Sequence, residues 1–390
     1  MAEAQGDPLS VLHDPVGHEA VRASLARAHR AKGLPAALLL HGLRGIGKQR
    51  LALWIGQLVL CEAPAGEGPC GTCRPCRMAL SLEHPDLHWY FPLPRPKGVS
   101  GDRLADALES ARIEALAELR AEPVRASQAD ELRGLYLGLM QGLRRRAHLR
   151  PSVGATQVFI IADAEYLVPQ EASPEAANAL LKLLEEPPSG TRFILTSSEP
   201  GRLLPTIRSR SVPLHLAPLP ADGVAAFLEA HAGVDGRTAA WAAALGQGSI
   251  GRALGFLPQA QDEPGPLEAL RRDALAIVEA ALADGRGPAF AVAHSQSSAR
   301  ARSLVELFTF VEDWLRDLAA VASAAEENVI SQDSLPHLRQ LAAAKGLDAS
   351  ALAATLPALE EARELARANV NPQLVVSGLL RRMRRTLRPA

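Results

Sequence analysis

Cys61, Cys70, Cys73 and Cys76 are every cysteine in the 390-residue chain. Their spacing is Cys-x8-Cys-x2-Cys-x2-Cys. A Cys-x2-Cys step lets a tight turn present two sulfurs to one ion, and four thiolates suit tetrahedral Zn²⁺. Gly66, Gly68 and Gly71 supply turns between the ligands. Four thiolates leave no open coordination position, so the expected ion is structural rather than catalytic.

A second group lies just upstream. Gly42-Leu43-Arg44-Gly45-Ile46-Gly47-Lys48 fits G-x-x-x-x-G-K between an expected strand and an expected helix. Gly42, Gly45 and Gly47 let backbone N–H groups turn inward, the helix N-terminus attracts anions, and Lys48 meets the outer phosphates of a nucleotide. The next residue is Gln49, where Ser or Thr would offer Mg²⁺ a hydroxyl. An amide is a poor ligand for that small, hard cation. Hydrolysis also needs an acidic strand end. Here Ile160-Ile161 is followed by Ala162, Asp163, Ala164 and Glu165. In one register Ala162 takes the metal-holding place and Asp163 the water-activating one. In the other, Asp163 holds the metal and Ala164 stands where the base belongs. Neither supplies an adjacent acidic pair, and the acids read as a solvated strand end. Two readings of the loop stay open: nucleotide binding without efficient hydrolysis, and an inherited shape that folds with no nucleotide.

The elements that position these residues follow from apolar periodicity. Residues 17–32 read as an amphipathic helix, with Val21, Leu25 and Ala28 on one face. Short apolar runs at 36–42, 84–92, 158–162, 192–196 and 212–216 read as strands, the central ones buried on both faces. Residues 49–60 read as a helix, and 103–146 as mostly helical with a break near Pro123. A helix over 174–186 has Ser173 as cap, Pro174 in its first turn and Pro187-Pro188 as its stop. Beyond Pro220 every segment reads as helical, with a polar break at 259–266. An α/β unit thus precedes all-α segments. A chain of this length suggests roughly two to four domains.

Composition excludes several classes. Lys plus Arg is 42 against Asp plus Glu 43, a formal charge of −1, which argues against a nucleic-acid coat protein. No run of 18 apolar residues occurs, and the first eight residues lack an apolar signal core, so a cytoplasmic protein is expected. Two basic clusters stand out: Arg144, Arg145, Arg146, His148 and Arg150, and Arg381, Arg382, Arg384, Arg385 and Arg388. Either could meet phosphates, but aromatic interleaving is absent, and solvated helix ends are the blander account.

Taken together, the residues resemble the clamp-loader subunits of bacterial DNA polymerase III, within the AAA+ superfamily. The likeness rests on Gly42 to Lys48, the four-cysteine insertion, Asn178-Ala179-Leu180-Leu181-Lys182-Leu183-Leu184-Glu185-Glu186-Pro187-Pro188, Ile207-Arg208-Ser209-Arg210-Ser211, and Asn369-Val370-Asn371-Pro372-Gln373-Leu374. It implies a three-layer AAA+ α/β domain over 1–217 with a zinc module at 61–76, a helical lid over 218–260 and a helical collar over 261–390. Within the family the chain resembles the delta-prime type, which has a degraded nucleotide site and keeps an arginine finger. Arg210 matches that finger, with Ser211 in place of the usual cysteine. Gly251, in Gly248-Ser249-Ile250-Gly251-Arg252, stands where the motor members carry a sensing arginine. Ser197 and Ser198 fall at the first sensor.

The resemblance implies a subunit without intrinsic ATPase that helps load the sliding clamp onto primed DNA. Its partners would be gamma/tau-type and delta-type subunits in a hetero-pentamer, reaching the clamp and primer-template DNA through the complex, with no membrane partner. Two rivals stand beside this reading. One is an active gamma/tau-type ATPase, opposed by Gln49, Ala164 and Gly251. The other is a zinc-bearing scaffold of another AAA+ assembly.

Overall fold

The computed structural model describes residues 15–66, 68–100, 103–121, 133–167, 175–258, 263–296, 303–368 and 370–387. Ser173, Pro174, Pro123, Asn369, Arg388 and the first eight residues lie outside them. The described residues fall into two units. The first runs to Ala239 and includes Gln247–Leu254; the second holds Ala240–Gly246 and everything from Gly255.

In the first unit, β1 (Ala37–His41), β2 (Leu87–Tyr90), β5 (Gln157–Ile161), β6 (Thr191–Ser197) and β7 (Val212–His215) form one sheet in the order β2-β5-β6-β1-β7. Every neighbouring pair is parallel. The apolar runs are unbroken because both faces of the central strands are covered. Leu39, Tyr90, Phe159, Ile161, Phe193 and Leu195 point to one face, where Phe159 stacks between Tyr90 and Phe193. Leu38, Leu40, Trp89, Val158, Ile160 and Ile194 point to the other. The second face is covered by α1 (Glu19–Arg30) and α2 (Lys48–Leu60), the first by α5 (Leu137–Ala147) and α6 (Glu175–Glu185).

Two expectations change. The run at 84–92 supplies a strand only over Leu87–Tyr90, because Pro85 and Pro92 cannot donate to a ladder. The long helical stretch divides into α4 (Arg103–Ala121) and α5, and ahead of α5 the two-residue strand β4 (Arg133–Gly134) pairs antiparallel with β3 (Leu93–Pro94). Shorter helices complete this unit's chain: α3 (Arg74–Leu80), α7 (Pro205–Ser209) and α8 (Ala221–Ala232). Among the described residues no strand follows β7, as the pattern requires. Helices α9 (Gly236–Gly246) and α10 (Ile250–Phe256) each contribute residues to both units.

The second unit comprises α11 (Pro266–Leu282), α12 (Gly287–His294), α13 (Leu304–Ala322), α14 (Leu335–Lys345), α15 (Ala349–Ala353), α16 (Leu356–Arg367) and α17 (Pro372–Leu387). Its core holds paired polar groups. Arg271 lies over the Trp314 ring and meets Glu268 and Asp333, while Trp314 Nε1–H donates to the Arg271 carbonyl at 2.9 Å. Asp317 accepts from the Ile330 and Ser331 N–H groups, both at 2.9 Å. Basic residues of α17 are partly structural: Arg384 donates to the Ala280 and Ala283 carbonyls at the end of α11, and Arg382 pairs with Glu361.

Candidate functional site

The phosphate-loop motif forms the turn its glycines demand. Gly42, Gly45 and Gly47 have φ of 149°, 77° and 95°, a region that side chains rarely enter. Gly42 also lacks room, since a Cβ there would meet the Leu216 carbonyl oxygen at 2.4 Å. The loop carries the chain from β1 into α2, and the His18 ring pins it through the Ile46 carbonyl at 3.0 Å.

Its ligand-facing groups are occupied by the protein. Lys48 is 4% exposed. Its ammonium donates to the Gly42 carbonyl at 3.0 Å, the Leu43 carbonyl at 2.7 Å and Ser198 Oγ at 2.8 Å. Those three acceptors use all three ammonium protons. Burial draws the Lys48 pKa down to about 8. Gln49 is not idle either: its Nε2–H donates to Asp163 Oδ2 at 3.0 Å. Where a hydroxyl and a metal would bridge loop to strand end, an amide bridges directly.

The strand-end acids are not solvated, contrary to the expectation from sequence. Glu165 is buried and accepts from the Ser198 N–H at 3.0 Å. Asp163 sits at φ 47° and donates its N–H to Thr196 Oγ1 at 3.0 Å. Burial and the Glu165 charge raise the Asp163 carboxyl to about 6, against the pull of Lys48. Ala162, fully buried, offers the metal-holding place no ligand.

The segment after α9 completes the enclosure. Ser249 Oγ–H donates to the Arg44 carbonyl at 2.8 Å, and the Gly251 N–H donates to the Gly45 carbonyl at 2.9 Å. A Cβ on Gly251 would lie 2.9 Å from Gly45 Cα. The resemblance implies a lost arginine at Gly251; the structure shows that the glycine permits this close backbone approach.

The Asp163 carboxyl gives a first prediction. Its folded pKa is raised, so the stability it contributes is present below about 4 and lost as pH rises through 6. Asn keeps the acceptor for Gln49 and tolerates the positive φ. Asp163→Asn is therefore expected to stabilise the protein by about 1 kcal/mol at pH 8, with the gain fading as pH falls through 6 and gone below about 4. Urea unfolding across that range measures it; a gain that grows toward acid contradicts the assignment.

The cysteines converge at the other end of α2. That helix has 13 residues, so the two sites stand about 20 Å apart along its axis. Cys61 follows α2, Cys73 caps α3 and Cys76 lies within it. All four sulfurs lie within 4.8 Å of one another. Cys70 and Cys76 are 3.9 Å apart, Cys61 and Cys73 4.0 Å. Tetrahedral Zn²⁺ with bonds of about 2.3 Å sets sulfurs about 3.8 Å apart, so the group fits such an ion. The Cys70 N–H points at Cys61 Sγ and the Cys73 N–H at Cys70 Sγ, both 3.3 Å, as thiolates require. The Cys73 and Thr72 N–H groups hold the Cys70 thiol down to about 6, whereas burial pushes Cys61 and Cys76 up. Gly66 and Gly71 take positive φ as turns; Gly68 instead makes room for the Trp54 ring, 3.1 Å from where its Cβ would be.

Arg210 follows α7 and is half-exposed. Its guanidinium Nη2 lies 2.8 Å from Glu185 Oε1 at the end of α6. Ser211 is buried and donates to the Ile207 carbonyl at 2.9 Å, so serine fills the cysteine's place without an unpaired hydroxyl. Loop, strand-end acids, Ser198, Ser249 and Gly251 are thus brought together, while the cysteines and Arg210 stand apart from them. The roles of Ser249 and Glu165 escape a reading of the sequence. Only the hydrophilic break around Gly248 and the odd acid after Ala164 signal them.

A family model described as "DNA polymerase III, delta subunit" matches residues 17–220. The chain is 37% identical over 194 residues to a DNA polymerase III subunit delta' of Pseudomonas aeruginosa, covering 50% of this chain and 45% of the relative. It is 29% identical over 343 residues to a DNA polymerase III subunit tau of Salmonella typhimurium, covering 87% of this chain and 41% of that one. The chain thus spans about half the length, or less, of these curated relatives. A gamma subunit-related protein of Thermotoga maritima superposes with a TM-score of 0.36 at 16% identity, covering 93% of this chain and 99% of that chain.

Proposed function

Because the chain belongs to the DNA polymerase III delta-subunit family, we propose that it is a non-motor, delta-prime-type clamp-loader subunit. It helps load the sliding clamp onto primed DNA and donates Arg210 to the ATP of a neighbouring motor subunit. The observation that carries this reading is the occupied loop. Lys48 spends its protons on Gly42, Leu43 and Ser198, and Gln49 spends its amide on Asp163. A motor site keeps those positions for phosphates and Mg²⁺. The neighbours would be gamma/tau-type and delta-type chains in a hetero-pentamer in the cytoplasm, with a lid over 218–260 and a collar over 261–390. No helix among the described residues is long and apolar enough to cross a membrane. We assign Zn²⁺ to the four cysteines, in a structural role.

The likeness to a tau subunit extends over more of the chain and favours a second reading, an active motor. Turnover decides between them. The full chain, purified alone, is expected to hydrolyse ATP at less than about 1% of the rate of a motor-type homologue. That difference corresponds to about 2.7 kcal/mol or more in barrier. Turnover comparable with the motor would sink the non-motor reading.

A further inference from the structure

Beyond the loop, the cysteines and Arg210, the least explained surface lies where α5 ends and the chain returns to β5. Between Glu131 and Asp163 the sequence has no acidic residue, yet it carries Arg133, Arg144, Arg145, Arg146 and Arg150. Leu139, Met140, Leu143 and Ala147 bury the inner face of α5, which turns Arg144, Arg145 and Arg146 to solvent in its last turn. A helix C-terminus accounts for cations there. It does not account for the aliphatic groups displayed beside them. Leu149 and Val153, four residues apart in the loop, are 64% and 62% exposed, and their neighbours His148 and Arg150 are exposed as well.

This loop is held from beneath. Asp86, 2% exposed, accepts from the backbone N–H groups of Ser152, Val153 and Gly154. Gln157, also buried, donates to the Ala147 carbonyl at 2.8 Å and the Leu149 carbonyl at 3.1 Å. Two buried side chains thus fix the loop with its aliphatic groups outward, and a preformed surface loses less entropy on binding.

We propose that the end of α5 and the loop bearing Leu149 and Val153 form a docking surface for an acidic segment of a partner protein that carries leucine or phenylalanine. Charge complementarity selects the acidic partner. Nucleic acid shares the negative charge but fits less well. Asp86 already takes the loop amides that would grip phosphates, and residues 144–154 hold no Phe, Tyr or Trp ring to stack a base, His148 being their one aromatic ring. Exposed aliphatic groups gain nothing from a phosphate backbone, but they do gain from an apolar side chain set between acids.

Fluorescence anisotropy on the full chain tests this with a labelled acidic dodecapeptide carrying two leucines. Saturable binding near ~10 µM in low salt is expected. Leu149→Ser with Val153→Ser, and separately Arg144→Ala with Arg145→Ala and Arg150→Ala, should each weaken it about tenfold with unchanged thermal melting. A single-stranded oligonucleotide and a duplex should fail to displace the peptide. Absence of saturable binding overturns the proposal. So does displacement by either oligonucleotide, or an affinity indifferent to the serine pair.

Discussion

If Arg210 serves a neighbouring motor subunit as proposed, Arg210→Ala is expected to slow ATP hydrolysis at that site by about 10³-fold while leaving the ring assembled. The size follows from the charge it removes. Phosphoryl transfer spreads negative charge over the γ-phosphoryl oxygens, and a planar, permanently charged fork placed against them stabilises that charge with two aligned N–H groups. The bonds that hold Arg210 lie at the surface. The residue stands just past the five-residue helix α7, half-exposed, held by Glu185 and by the Thr206 carbonyl at 3.3 Å. An exposed pair of that kind is worth about 0.2–1 kcal/mol, little against the gain at a phosphate. Lysine should not rescue, since it offers a point charge without the fork. The measurement is single-turnover hydrolysis in the reconstituted ring, with the other motor subunits disabled at their loop lysines. Ring assembly by sedimentation separates a lost finger from a lost interface. An undiminished rate at the adjacent site excludes the role.

The turn that ends in Arg210 and the cysteine group are legible in the sequence because their signals are local. Ile207-Arg208-Ser209-Arg210-Ser211 is one turn and its exit, and the four cysteines fall within residues 61–76, where a tight turn alone brings them together. Strand positions are legible for a related reason: a sheet covered on both faces leaves apolar runs that need no partner to be noticed. What escapes depends on pairs far apart in sequence. Gln49 meets Asp163 across 114 positions, and Ser249 meets Arg44 across 205. Gln49 alone reads as a missing hydroxyl and Gly251 as a missing arginine. Together with their partners they are bonds that close the loop upon itself. The strand-end acids read as solvated because carboxylates are seldom buried without partners. Here the Ser198 N–H and the Gln49 amide, from elements that only the fold brings near, supply those partners.

The four-cysteine group predicts the second large effect, and Cys70→Ser isolates it. Cys76 is fully buried, so replacing it would confound metal loss with packing loss. Cys70 is only half-buried, and a serine there changes little except the ligand. A neutral hydroxyl cannot replace a thiolate on Zn²⁺, and the Cys73 and Thr72 N–H groups that now lower the Cys70 thiol would face a group with no charge to stabilise. The wild-type chain should carry close to one zinc per molecule by elemental analysis, and the variant far less. Losing the ion is expected to cost about 3 kcal/mol or more, roughly 6–12 °C in the melting of the first unit. The damage should stay local. The sheet has its own two-sided core, whereas around the cysteines α3 buries only Pro75, Cys76 and Ala79. Amide exchange should therefore rise over 61–80 while the strands keep their protection. A strong chelator should reproduce the effect in the wild-type chain and add nothing in the variant. If the wild-type chain holds no zinc, or if chelation leaves exchange at 61–80 unchanged, the sulfurs converge for a reason other than this ion.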